Sequence, residues 1–151
     1  MSDQTPEAVP LCPSAQPQQA GARVFGVVGG RADAPRVGYL TATQPVTPEL
    51  LALAGPVEPT EVFRIAAPCA GSACSHFSDG NCQLATKIVQ LVPEIVGLER
   101  LPACRIRRHC RWWAQEGGAA CRRCPLVVTE TLVASPELRR AADPGERTDQ
   151  K

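Results

Sequence analysis

Seven of the eight cysteines fall between Cys69 and Cys124. They run Cys69-x4-Cys74-x-His76-x5-Cys82 and then, after 21 more residues, Cys104-x5-Cys110-x10-Cys121-x2-Cys124-Pro125. Thiolates at this density, without a secretion signal, point to a bound metal or an iron–sulfur cluster. Zinc sites take four N or S ligands in a tetrahedron, and a [4Fe–4S] cluster takes four thiolates. Cys69, Cys74, Cys82, Cys104, Cys110, Cys121 and Cys124, with His76, make eight donors. That suffices for two four-ligand sites, or for one cluster with three thiols over.

Iron–sulfur chemistry is the favoured reading. Cysteine greatly outnumbers histidine, and only Cys121-x2-Cys124 has the short knuckle spacing that zinc modules repeat. Irregular gaps suit a cluster wrapped by loops from several elements. Pro125 after the last cysteine echoes the end of bacterial ferredoxin runs, although the run itself is absent. Zinc is the alternative, and disulfides or free thiols come after it. A thioredoxin-type dithiol opens a helix within a βαβ unit. Here the Cys-x2-Cys pair precedes an apolar extended segment, Leu126–Val133.

Cys104 and Cys110 are six apart. On one continuous helix they would point about 240° apart and differ by roughly 9 Å in height. They share a centre only if the chain bends between them, with Cys104 on a loop and Cys110 opening the next helix. A helix start favours a thiolate through its positive dipole end, and Cys82 has the same prospect. The expected grouping is Cys110, Cys121 and Cys124 on one centre, completed by Cys104 or by a cysteine of the 69–82 group. Cys12, flanked by Pro10 and Pro13, reads as a free surface thiol whose replacement changes neither metal content nor folding. His76 is a ligand, or a donor to a cluster sulfur. His109 would point away from its neighbour Cys110 on a helix, which makes it a surface residue or one behind the ligands.

Arg105, Arg107, Arg108, Arg111, Arg122 and Arg123 face a single acid, Glu116, between Cys104 and Cys124. They compensate the negative charge of a cluster, or dock an acidic protein or redox partner. A nucleic-acid surface with Trp112 or Trp113 as stacking platform is the competing reading. Adjacent helix residues diverge by about 100°, so one of the two tryptophans belongs to the core.

The elements that must position these groups are short. Fifteen prolines and twelve glycines in 151 residues imply many turns, and six aromatics leave little to bury. A small loop-rich chain gains from a metal site. The pattern predicts an α+β protein in four parts. Residues 1–22 form a disordered leader, and 23–68 a small α+β piece. Residues 69–134 form the cysteine-rich, partly helical metal-binding region, and 135–151 a short helix and flexible tail. Strands are expected over 23–28, 36–41 and 61–66, the first two as a hairpin. Thr47-Pro48-Glu49 signals a helix start, as does Ser135-Pro136-Glu137 before a helix over 137–142. A helix over 82–91 carries Leu84, Ile88 and Leu91 on one face, capped by Asp79 or Asn81. A helix around 109–115 ends at Gly117-Gly118.

The net charge of +1 gives no global pull toward nucleic acid or membrane. No apolar run reaches membrane-span length. With no signal peptide in MSDQTPEAVPLCPSAQPQQAG, the expected location is cytoplasmic. Fourteen arginines against two lysines read as the usage of a GC-rich, bacterial-type genome rather than as function. No dinucleotide or P-loop motif, metalloprotease helix, nucleophile elbow or paired-carboxylate arrangement appears, so no catalytic constellation is seen. The functions these features favour are electron transfer, redox sensing or an accessory-subunit role. A zinc-stabilised nucleic-acid binder and a structural metal-bound adaptor are the alternatives.

Overall fold

A computed structural model describes residues 9–31, 34–95, 100–127 and 140–141. The expected leader residues 1–8, most of the apolar segment after Leu126, most of the helix over 137–142 and the tail lie outside the described residues.

The molecule is α+β, with antiparallel sheets and short helices. Strand β2 (Arg23–Arg31) and strand β3 (Ala34–Pro45) form a hairpin, as their β-branched runs predict. Both expected strands are longer than their apolar cores because pairing continues through the polar flanks. The register shifts between Val24 and Gly26 against β3 and against strand β4 (Phe63–Pro68). This bulge sits at Phe25, and Gly26 allows it: a Cβ there would stand 2.6 Å from Val37 Cγ1.

Helix α1 (Pro48–Ala52) starts as its sequence predicts, with Pro48 in the first turn and Thr47 Oγ1 accepting from the Leu50 N–H at 3.1 Å. The strand expected from Glu61 starts two residues later. Pro59 instead opens a single helical turn, α2 (Pro59–Val62), before β4.

Strand β4 is the centre of the sheet, whose order is β1-β4-β2-β3, with β1 spanning Leu11–Cys12. Its residues alternate between two cores. Phe63, Ile65 and Ala67 pack with Val24, Ala15, Ala22 and Ala54. Ala66 joins Phe25, Ile88 and Trp112 on the cysteine side. Burial on both faces explains its apolar run.

The stretch 9–22 was expected to have nothing to bury. It takes a defined course instead. Leu11 pairs with Pro68 and Cys12 with Ala67, the Ala15 N–H donates to the Ile65 carbonyl at 3.0 Å, and Ala15 and Ala22 are buried. The free edge of β4 supplies the partners that the local sequence lacks.

After β4 the chain makes a 3₁₀ turn (Gly71–Ala73) and a two-residue hairpin, β5 (Phe77–Ser78) with β6 (Asn81–Cys82). Asp79 (φ 55°) and Gly80 (φ 77°) form its turn. Asp-Gly suits that mirror-image turn, so Asp79 is not a helix cap. Helix α3 (Gln83–Leu91) has Cys82 at its N-cap position, rather than Asp79 or Asn81. Ala85 and Ile88 are fully buried, and Leu84 and Leu91 pack partly buried against the same core.

A 3₁₀ turn (Arg107–His109) leads into helix α4 (Arg111–Glu116). It stops at Gly117, whose φ of 67° favours glycine. Helix α5 (Gly118–Cys121) and a 3₁₀ turn (Cys124–Leu126) complete the described cysteine region. Among the described residues no helix is long and apolar enough to cross a membrane.

Candidate metal centre

Cys104, Cys110, Cys121 and Cys124 line one small pocket. Each arrives on a different local structure. Cys104 lies on coil, and Cys110 holds the N-cap position of α4. Cys121 ends α5, and Cys124 opens the last 3₁₀ turn. The bend between Cys104 and Cys110 is the Arg107–His109 turn, closed by the Cys110 N–H on the Arg107 carbonyl at 3.1 Å. The sulfurs act on one another's charge: Cys124 on Cys104, Cys110 and Cys121, and Cys121 on Cys110.

The walls are apolar. Phe25, Tyr39, Ile106 and Trp112 contribute to them, so the hairpin at 23–45 reaches into the cysteine region. Trp112 is 2% exposed and its indole Nε1 has no hydrogen-bond partner. An orphaned donor in a thiol-lined pocket is where a sulfur-rich guest would be recognised. Trp113 also lines the pocket but is 36% exposed, so the pocket comes near the surface. The two tryptophans divide between core and rim, as their helix spacing predicts.

Burial pushes the Cys110 thiol up to about 12, and raises Cys104 and Cys121 as well. Protein dipoles work the other way. The Trp113 and Trp112 backbone amides favour the Cys110 thiolate, and the Ile106 amide that of Cys104. The Arg107 guanidinium lies beside Cys121 and favours its thiolate. Without a cation these thiols stay protonated at neutral pH. A bound metal reverses that balance and expels the protons.

Arg64 is a buried residue beside the pocket wall that sequence reasoning missed. It is 1% exposed, with NH1 donating to the Cys124 carbonyl at 2.5 Å and NH2 to the Pro13 carbonyl at 2.8 Å. Its guanidinium carbon lies 5.5 Å from the Phe25 ring centroid. A buried cation held by neutral carbonyls is costly unless negative charge lies nearby. The thiols beside Cys124 would supply that charge only once a metal had drawn off their protons. The only sequence signal was a charged residue inside an otherwise apolar strand.

The arginine patch is largely committed to the fold. Arg107 donates to the Pro102 carbonyl at 2.6 Å and stacks 5.6 Å from the Trp113 ring centroid. Arg111 sits 5.2 Å over Phe77. Arg105 donates to the Thr41 carbonyl. Arg123 donates to the Ala119 carbonyl at 2.8 Å and to the Val92 carbonyl, and pairs with Glu94 at 3.5 Å. Arg122 also has an interaction. Arg108 and His109 are exposed.

The remaining cysteines gather elsewhere. Cys69, Cys74 and Cys82 lie close enough to influence one another's charge, and Cys12 is among them. Cys12 is a partly buried thiol in β1 rather than an exposed one, and burial pushes its pKa up to about 11. His76 lies beside this group with Nδ1 buried and unpartnered. Burial lowers its pKa, and Lys87 adds to the effect. All eight cysteines are free thiols. Among the described residues no three His, Cys, Asp or Glu side chains converge tightly enough to hold a single metal ion.

No protein-family model, curated protein or solved structure matches the chain.

Proposed function

We propose that the chain is an iron–sulfur protein of the electron-transfer kind. In this reading Cys104, Cys110, Cys121 and Cys124 hold one [4Fe–4S] cluster. The carrying observation is that four thiols from four separate turns line a single pocket with largely apolar walls. A tetrahedral zinc would draw all four sulfurs to about 2.3 Å from one point. Only Cys121-x2-Cys124 has the short spacing that zinc modules repeat, which favours the cluster. When bound, such a cluster takes up and releases one electron.

The chain's own residues supply the rest. Phe25, Tyr39, Ile106 and Trp112 exclude water, which sets the local dielectric and so the potential. The amides of residues 106, 112 and 113, with Arg107, stabilise the thiolates. Trp112 Nε1 offers a further hydrogen bond. Arg64 holds the Cys124 carbonyl and places a buried positive charge next to the site. Trp113 at the rim, with exposed Arg108 close to it in sequence, gives an acidic redox partner a place to approach.

Protein purified without oxygen should be brown, with broad absorption near 400 nm and equal amounts of iron and acid-labile sulfide. Stoichiometric zinc with neither iron nor sulfide would overturn this reading.

The nucleic-acid alternative has less to draw on, because Arg105, Arg107, Arg111 and Arg123 are engaged with carbonyls and rings. Affinity for single strands should be weak at physiological salt. The dependence of log K on log salt should have a slope of magnitude about 1–2, rather than the roughly 4 that six free arginines would give on a single strand. Tight binding lost in an Arg107→Ala, Arg108→Ala double variant that keeps its metal would favour the alternative instead.

A further inference from the structure

We propose that Cys12, Cys69, Cys74 and Cys82 form a second four-thiolate iron–sulfur centre, with Cys12 supplied by the N-terminal strand. The inference rests on the iron–sulfur reading of the first pocket and extends it to the cysteines that pocket leaves unused.

Three features of the backbone bring these four together. First, β1 pairs antiparallel with β4 so that Cys12 lies opposite Ala67, two residues before Cys69. The Cys69 N–H donates to the Pro10 carbonyl at 2.7 Å, which brings the two cysteines to the same end of the sheet. Second, Gly71 at φ 59° turns the chain, and Cys74 follows at once. Third, the Asp79-Gly80 hairpin returns Cys82 to a position opposite Phe77, whose N–H donates to the Cys74 carbonyl at 3.0 Å.

Backbone amides are turned onto the sulfurs of this group. The Gly71 N–H donates to Cys69 Sγ and the His76 N–H to Cys74 Sγ, both at 3.4 Å. In each case the donor is the amide two residues on. The amides of Ser14 and Leu84 stand in the same relation to Cys12 and Cys82 and favour their thiolates against burial. In the first pocket, residues 106 and 112 repeat it for Cys104 and Cys110. Amides turned onto sulfur partly offset the burial that raises Cys12 and Cys82.

The two groups are neighbours. Leu11, next to Cys12, forms a β-bridge with Cys110. Gln115 of α4 clamps Cys82 from both sides, accepting from its N–H at 2.9 Å and donating to its carbonyl at 2.8 Å. Bridged backbones lie about 5 Å apart. Two centres so placed would exchange electrons with each other and couple magnetically when both are reduced.

The test uses the full chain prepared anaerobically, with iron, sulfide and zinc assays and electron paramagnetic resonance after dithionite reduction. Wild type should carry about eight irons and eight sulfides and give a spectrum broadened by spin–spin coupling. Cys12→Ala and Cys74→Ala should each lose half the iron and give one sharp, uncoupled signal. His76→Ala should keep all the iron. Wild type with about four irons and an uncoupled signal overturns the second centre, as does Cys12→Ala with full iron. Half the iron lost in His76→Ala overturns Cys12 as the fourth ligand. In the first two of these cases, iron loss in Cys121→Ala leaves the first pocket's reading standing. Zinc without sulfide sinks both. Should Cys12→Ala fail to accumulate, the wild-type iron count and coupling decide alone.

Discussion

Cys110→Ala should lose the iron of the pocket and most of the cooperativity of unfolding. The magnitude separates two roles for this residue. If Cys110 were only a small buried side chain, its truncation would cost about 1–2 kcal/mol, little more than a lost methyl-sized contact. As a ligand it contributes to a site whose binding energy is folding energy, on the order of 10 kcal/mol for thiolate-rich metal sites. Total stability of such a domain is about 5–15 kcal/mol, so losing the site removes most of it. Position adds to the effect, because Cys110 starts α4 and bridges to Leu11. Anaerobic urea unfolding with parallel iron assay reads the outcome. A loss of only 1–2 kcal/mol with full iron would reduce Cys110 to packing.

Arg64→Met should cost about 3–5 kcal/mol in the metal-loaded protein, the usual penalty for breaking a buried charged contact. At about 2–4 °C per kcal/mol for a chain of this size, the melting temperature falls by roughly 10–15 °C. Two losses combine. The carbonyls of Cys124 and Pro13 are left without their buried donors, and the negative site loses a neighbouring positive charge. The second loss has its own signature, a midpoint potential shifted to more negative values, since adding an electron becomes harder. Arg64→Lys restores the charge but cannot span both carbonyls. It should therefore recover the potential more fully than the stability. Arg64→Met with unchanged melting temperature, iron and potential would remove Arg64 from any role at the site.

The sequence displayed those parts of the fold whose causes are local. Thr47-Pro48 starts α1 because cap and ring act within one turn. Gly117 stops α4 because only its own backbone matters there. The bend between Cys104 and Cys110 followed from their six-residue spacing once both were assigned to one centre. The parts that stayed hidden depend on distant partners. Strand β1 is two residues long, beside two prolines, and exists because β4 offers it an edge. Without that edge Cys12 looks isolated. Asp79-Gly80 carried a recognisable hairpin signal, overshadowed by the helix that follows. Arg64 was only the charged residue of an apolar strand, and Pro13 and Cys124, 51 and 60 positions away, close around it. The same holds for Phe25 and Tyr39, whose place in the pocket wall depends on how the hairpin docks.

Those long separations have a bearing on how the protein is made. Cys12 leaves the ribosome early and Cys124 late, and at about 5–20 residues per second the interval is on the order of ten seconds. Until Cys124 emerges, Arg64 lacks one of its two carbonyls and the 104–124 thiols cannot surround anything. Closing loops of this length before any contact rewards them is slow. The nascent chain therefore exposes its thiols to oxidants and stray metals for the whole of that interval. The proposed guest could enter the pocket only once Cys124 has emerged.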